Sequence, residues 1–264
     1  AALNEADLRH AQLFGAQVEG ARFRNADLSG ATLTGVDLSA ADLEGANVVV
    51  NARANREEVD SVAAEARALG VEALAVLADV GDRSQVNGMV ASAVERFGKI
   101  DILINNAAIR PHKPFTDVTQ DDWERVRGVV LDGAFYCTHA VISSMVANRF
   151  GRILFFTGEG AFVGAPQRAH VSAAKMGLIG LARGLASEFV PHNIRVNVVC
   201  PGRIDTSRDL SWYPQGGMAD PSGIPLGRLG TVDDLAAACV FLVTDDCGFI
   251  TGQTLHVNGG AGFF

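Results

Sequence analysis

Few residues in this chain combine a reactive side chain with a spacing that chemistry could use. Cys137, Cys200, Cys239 and Cys247 are scattered without a CxxC pair. They read as buried free thiols of a reducing compartment rather than a disulfide frame or a zinc site. The six histidines are dispersed and show no HExxH or similar metal-ligand spacing. What remains is Lys175 in VSAAKMGLIGLARGLASE, His170 as an imidazole suited to general acid work near neutral pH, and Glu159 in Thr157-Gly158-Glu159-Gly160. The basic groups Arg53/Arg56 and Arg110/His112/Lys113 read first as solvated patches. Tyr136 and Tyr213 are the two tyrosines; Tyr136 reads as a helix-packing residue, and Trp212-Tyr213-Pro214 as the hydrophobic contact of a lid.

The elements that must position these groups fall into two parts. Over 264 residues, 48% hydrophobic and 20% charged content suit a globular protein able to bury a full core. A formal charge of −8 argues against a nucleic-acid groove or an anionic membrane surface. No basic stretch followed by an apolar core marks a leader, and no 18-residue apolar run marks a membrane span, so the cytoplasm is the expected location.

Residues 1–46 repeat every five. The centres are Leu3, Leu8, Leu13, Val18, Phe23, Leu28, Leu33, Leu38 and Leu43, continuing into Val48, and an alanine stands two before each centre except at Val36. This pattern resembles the pentapeptide-repeat family. The resemblance implies a right-handed quadrilateral β-helix of about two coils, with the centre residue and the small residue before it pointing inward. Gly15, Gly20, Gly30, Gly35 and Gly45 fall at block ends, where corners need a permissive backbone. So short a stack needs a surface to dock on. Its outer positions carry seven carboxylates against three arginines. A scaffold or docking role and imitation of DNA's charge are both open to it.

From residue 47 onward, apolar runs alternate with amphipathic stretches, the mark of a parallel α/β sheet. Strands are predicted at 48–51, 73–78, 100–104, 153–156, 195–199 and 254–257, and helices at 56–69, 83–97, 121–145, 171–188 and 231–242. Along this frame lie Asp79-Val80, Asn105-Asn106-Ala107-Ala108, Lys175, Asn193-Ile194-Arg195-Val196-Asn197, Pro201-Gly202 and Ile250-Thr251-Gly252 through Gly259-Gly260. In order and spacing, residues 47–264 resemble the short-chain dehydrogenase/reductase family. The resemblance implies a Rossmann-like doubly wound parallel sheet and an oxidoreductase acting on a small-molecule carbonyl or alcohol. It also implies a homo-oligomer, dimer or tetramer, formed through helices 121–145 and 171–188 and the C-terminal tail. Asp79 and Val80 would meet the adenine, Asn105 and Ala107 would line the cofactor crevice, and Lys175 would bond the nicotinamide ribose. Pro201, Gly202, Ile204 and Thr206 would edge the nicotinamide. Strand 48–51 leads to Arg53 rather than to an acid, which suits the 2′-phosphate of NADP over the free hydroxyl of NAD.

The chain departs from that family in two respects. The proton-transfer tyrosine lies four before the lysine, which is Val171 here; the supporting serine falls at Gly158 and the water-anchoring asparagine at Val130. Lys175 alone remains of the four, with Thr157, Glu159 and His170 as neighbouring surrogates; one step along the strand would turn Thr157 to the other face, and His170 would need a shifted helix start. The second departure is the join: neither the family's first, central strand nor its Thr-Gly-x-x-x-Gly-x-Gly turn precedes residue 48. Leaving that slot empty would orphan about eight buried backbone groups at ~1–3 kcal/mol each, against a total stability of ~5–15 kcal/mol. Either strands from the repeat segment pair along the open edge, or the strands on either side close on each other. The resulting expectation is an NADP(H)-dependent oxidoreductase with impaired or altered catalysis. The alternative is a non-catalytic scaffold, an artificial or accidental fusion included.

Overall fold

The computed structural model describes residues 47–206 and 220–264, the side chain of residue 246 apart, together with the backbone of Leu13–Phe14 and Ala31–Thr34. The elements are β1 (Leu13–Phe14), β2 (Ala31–Thr34), β3 (Val48–Ala52), α1 (Arg56–Ala68), β4 (Ala73–Leu77), α2 (Arg83–Phe97) and β5 (Ile102–Asn105). There follow α3 (Gln120–Arg127), α4 (Gly133–Asn148), β6 (Gly151–Phe156), α5 (Ala169–Phe189), β7 (Ile194–Pro201), α6 (Val232–Val243) and β8 (Thr254–Val257).

The strands form one sheet in the order β4-β3-β2-β1-β5-β6-β7-β8, and every described pairing is parallel. The slot between β3 and β5 holds two short strands of the repeat segment: Leu13 pairs with Ile104, Leu33 with Leu13, and Ala31 with Val48. Of the two sequence-based alternatives, the strands of the repeat supply the pairing, and β3 and β5 do not close on each other. The β-helix expected over 1–46 otherwise lies outside the described residues, as do Trp212, Tyr213 and Pro214.

Both sheet faces are covered, which is why β3, β5 and β6 read as nearly unbroken apolar runs. Val48, Val50, Ile102, Ile104 and Leu154 pack against α1 and α6 on one face. Val49, Leu103, Ile153, Phe155 and Val198 pack against α2, α4 and α5 on the other. Side-chain oxygens cap α1, α2, α3 and α6. Asn55 accepts from Glu58 N at 3.1 Å, Asp82 accepts from Ser84 N at 2.8 Å, and Thr119–Asp122 and Thr231–Asp234 form capping boxes.

The predicted helix 121–145 is not continuous. It divides into α3 and α4 around a π turn at Gly128–Asp132. The flanking glycines weaken the helix there. Gly133 also lets it approach the β4–α2 connection so closely that a Cβ would lie 3.0 Å from the Val80 carbonyl oxygen. The stretch Gln120–Asn148 is long and apolar enough to cross a membrane by composition. Its apolar face, including Val126, Val130, Ala134, Cys137, Val141 and Met145, is buried in the core of this domain.

Candidate functional site

A cavity of about 450 Å³ opens at the carboxyl ends of the parallel strands, where open α/β sheets bind ligands. Its lining runs from Asn51 near the end of β3, Arg53 after it and Asp79 and Val80 after β4, through Asn106, Ala107 and Arg110 after β5, to Phe156, Thr157, Lys175 and Pro201 around β6, α5 and β7.

At the β3–β4 end, the Asn51 amide is buried and donates to the carbonyl oxygens of Val76 (3.2 Å) and Ala78 (3.1 Å), bracing the two strand ends. Its Oδ1 is buried without a hydrogen-bond partner, an acceptor left over in the cavity wall. The Asp79 carboxylate accepts from Gly81 N at 2.9 Å, and Asp79 N donates to Gln85 Oε1 at 2.9 Å. Arg53 is exposed beside them.

At the β6–β7 end, Lys175 is 7% exposed. Its ammonium donates to the Phe156 carbonyl oxygen at 2.5 Å, and Thr157 Oγ1 donates to the Lys175 carbonyl oxygen at 3.3 Å. Burial, reinforced by the positive charge of Arg110, pushes the Lys175 amine down to about 7. Cys200 lies within electrostatic reach of Lys175, but burial pushes its thiol up to about 12, so it is not a thiolate nucleophile.

The three positions at which the sequence departs from the expected pattern are apolar or empty. Val171 and Val130 are buried in the α2–α4–α5 core layer. Gly158 has extended backbone, and a Cβ built there meets nothing within 4 Å.

The structure sorts the other predicted site residues. Thr157, expected to turn away from the crevice by strand alternation, lines it. It does so beside Phe156, which also lines it, while Thr157 N donates to the Val199 carbonyl oxygen at 3.0 Å. Asn105 faces a small adjoining pocket with Val80, Ala107 and Gly133, its amide donating to Thr138 Oγ1 at 3.5 Å, and Asn106 takes the place in the crevice wall.

His170 and Glu159 do not line the crevice among the described residues. His170 is 2% exposed in the first turn of α5, and neither ring nitrogen has a hydrogen-bond partner. Its charged surroundings are Asp122 and Lys113, and burial holds its pKa down. The helix begins at Ala169 rather than at the predicted 171, which fixes the ring on this side. Glu159 stands on a short 3₁₀ turn, one carboxylate oxygen buried without a partner, with its charge acting on Cys200 and His256.

Pro201 lines the crevice, but Ile204 faces a second cavity of about 460 Å³ with Arg203, Arg228 and His256. Gly202 packs against Asn258, and Thr206 adjoins the undescribed segment 207–219. Asn51 and Arg110 are among the lining residues that the sequence does not single out for the crevice. The only sequence signal for Arg110 was its membership of a basic group, and Asn51 gave none.

A family model described as enoyl-(acyl carrier protein) reductase matches residues 39–262, and the pentapeptide-repeat model matches eight copies within residues 1–30 and 11–48. The chain is 38% identical over 220 residues to (2S)-[(R)-hydroxy(phenyl)methyl]succinyl-CoA dehydrogenase subunit BbsD of Thauera aromatica, covering 83% of this chain and 88% of that protein. It is 36% identical over 218 residues to 3-oxoacyl-[acyl-carrier-protein] reductase FabG of Staphylococcus aureus, covering 82% and 88%. Among solved structures, gluconate 5-dehydrogenase of Burkholderia cenocepacia in complex with NADP and tartrate superposes with a TM-score of 0.76 at 32% identity, over 82% of this chain and 86% of the other. A protein of Sinorhizobium meliloti described as a short-chain alcohol dehydrogenase superposes with a TM-score of 0.81 at 31% identity, over 93% and 97%. The parallel sheet, the crevice at its carboxyl edge and these matches converge: the chain belongs to the short-chain dehydrogenase/reductase family and carries pentapeptide repeats at its N-terminus.

Proposed function

We propose that this chain, organised as a repeat segment over 1–46 and a reductase domain over 47–264, is an NADP(H)-dependent oxidoreductase of small carbonyl or alcohol substrates, with proton transfer altered from the family's pattern. The carrying observation is Lys175: a buried amine in the crevice wall, with a valine four residues before it where the family has its tyrosine. The residues present fit the cofactor at both ends. Arg53, exposed at the β3–β4 end, suits a 2′-phosphate. Asp79 and Val80 would flank the adenine, Ala107 and Asn106 the middle of the crevice, and Lys175 and Pro201 the nicotinamide riboside. The nicotinamide, when bound, supplies or takes the hydride. The gluconate 5-dehydrogenase that superposes on this chain binds NADP, which favours the same choice here.

Lys175 is then the group that holds the proton. In the family, the lysine's charge lowers a tyrosine's pKa and the tyrosine gives the proton. With Val171 in that position, the amine itself is the nearest titratable group on the α5 side of the crevice. Its pKa near 7 allows it to give and take a proton at neutral pH. Thr157, hydrogen-bonded to the Lys175 carbonyl, is a positioning residue. The exposed Phe135 on α4 and Met176 on α5 support assembly into a homo-oligomer through those helices.

A second reading, a non-catalytic scaffold, is favoured by Val130 and Val171, which put hydrocarbon where a proton path would run. Titration of NADPH and NADH, followed by nicotinamide fluorescence and then by turnover on a panel of ketones and alcohols, separates the two. No binding at millimolar cofactor sinks the enzyme reading, and binding without turnover favours the scaffold.

A further inference from the structure

The helix that carries Lys175 begins poorly satisfied. No side chain caps α5. Gln167, just before it, has a φ of 61°, a left-handed backbone that a non-glycine residue adopts at a cost. His170, in the first turn, is 2% exposed, and neither ring nitrogen has a hydrogen-bond partner. A neutral imidazole carries one N–H donor and one acceptor, and burying both unpaired weakens the fold at that point. A charged imidazole would bring two unpaired donors and a charge into the same space, so burial holds the ring neutral.

A counter-ion lies beside it. The charges that act on His170 are those of Asp122, on α3, and Lys113, in the connection before α3. Lys113 Nζ, Thr119 N (2.9 Å) and Thr119 Oγ1 (2.7 Å) all donate to Asp122 Oδ2, and Oδ1 accepts no bond among the described residues. The Asp122 side chain is 32% exposed, so an imidazolium that swings toward it also gains water. The other charged groups around the turn act elsewhere. Asp132 at the π turn pairs with Arg127 at 3.0 Å, Glu159 acts on Cys200 and His256, and Arg168 acts on His112. Two tethers hold the turn from outside. Lys113 N donates to the Gln167 carbonyl oxygen at 2.8 Å, and Ser172 Oγ donates to the Gly160 carbonyl oxygen at 2.8 Å. The first of these belongs to the residue that shares Asp122.

We propose that the start of α5 is an acid-sensitive latch. When His170 takes a proton from solvent, its ring leaves the core for the Asp122 carboxylate, Lys113 loses part of its hold there, and the first turn of α5 opens. Lys175 lies five residues further along the same helix, in the crevice wall, so acid loosens that wall. The latch needs neither cofactor nor turnover. Opening exposes the ring to water, where it titrates at the ordinary 6.5. Below that value, down to the lower one of the closed state, the open state binds one more proton, so opening is favoured as pH falls. Above 6.5 the proton contributes nothing. This window lies below the one between 7 and 10.5 that belongs to Lys175.

Hydrogen exchange of the full chain, read by mass spectrometry between about pH 5 and 8, tests the latch. Protection is corrected for the intrinsic pH dependence of the exchange chemistry. In the native chain, protection of residues 167–173 is expected to fall by up to about tenfold per pH unit below 6.5, while that of 151–156 in β6 stays level. His170→Leu keeps an apolar group in the core, so its protection of 167–173 should stay level with pH and exceed that of the native chain at the acid end. His170→Gln is polar without titrating and should also stay level; it serves the same comparison if the leucine variant does not fold. Asp122→Asn removes the charge of the counter-ion, so its latch should open at lower pH. Native protection that does not change with pH, or that falls just as steeply in the His170 variants, overturns the proposal. So does a fall shared equally by 151–156, which would be global unfolding, or an Asp122→Asn chain that opens at an unchanged pH.

Discussion

Thr157 and Lys175 are tied together across the boundary between β6 and α5. The threonine hydroxyl donates to the lysine's carbonyl oxygen at 3.3 Å, while the lysine's ammonium donates to the carbonyl of Phe156, the residue before the threonine. The two bonds form a closed link between the end of a central strand and the second turn of the helix beside it. They fix the amine at the crevice wall without any side chain from position 171. The geometry that holds the lysine is thus separable from the chemistry that a tyrosine would add.

That separation makes a gain of function testable. Gly158→Ser meets open space, and Val171→Tyr restores a phenol four residues before Lys175. The double variant is expected to raise turnover with NADPH by about 10²-fold, the lower end of what a positioned general acid contributes. Steady-state kinetics on the best substrate of a ketone panel checks it. Unchanged kcat with intact NADPH binding would show that the proton group is not what limits this crevice.

Arg53 should set the choice of cofactor. It is exposed at the β3–β4 end, so Arg53→Ala is expected to leave the fold intact. Loss of one charge-assisted contact of ~1.5–3 kcal/mol corresponds to roughly 10–100-fold weaker NADPH binding, with NADH affinity little changed. Parallel fluorescence titrations measure both. An equal loss for the two cofactors would place the arginine's effect elsewhere than at the 2′-phosphate.

The buried amine also predicts a pH dependence of stability. Lys175 sits at about 7 in the folded chain against an ordinary 10.5. Between those values the unfolded chain binds one more proton than the folded one, so this residue makes stability rise with pH across that window and contributes no slope below it. Lys175→Met removes the contribution. The variant is expected to gain stability relative to the native chain at pH 6–7 and to lose that advantage toward pH 10. Urea midpoints across the range decide it; a difference that does not vary with pH would mean that the folded amine is solvated.

Gly202 tests how tightly the β7 end is packed. A Cβ there would lie 2.7 Å from the Asn258 Cα and 2.8 Å from its Cβ, and Gly202 N donates to the Val257 carbonyl at 2.9 Å. The clash involves backbone, so it cannot be relieved by a rotamer. Gly202→Ala is expected to cost ~1–3 kcal/mol, visible as a melting temperature lowered by about 2–4 °C per kcal/mol in a domain of this size. An unchanged melting point would mean that the Asn258 turn yields freely.

By itself the sequence determined the class of fold and the order of its elements, and it set Val171, Gly158 and Val130 apart as the positions to compare with the family's pattern. These are local matters: strand and helix periods and a fixed count back from Lys175. The resemblance also implied that Lys175 and Pro201 share a crevice, and both line it. Only the tertiary structure decided which neighbours share that crevice. Thr157 lines it together with Phe156 at the end of β6, and His170, in the first turn of α5, does not. Arg110 joins because Lys113 anchors its segment to the start of α5, a contact across more than fifty residues that no local pattern records. The same holds for the sheet's centre. The repeat announced itself by its period of five, but its pairing of Leu13 with Ile104 and Ala31 with Val48 follows from the backbone demand of two open strand edges. That demand exists only once β3 and β5 lie in one sheet.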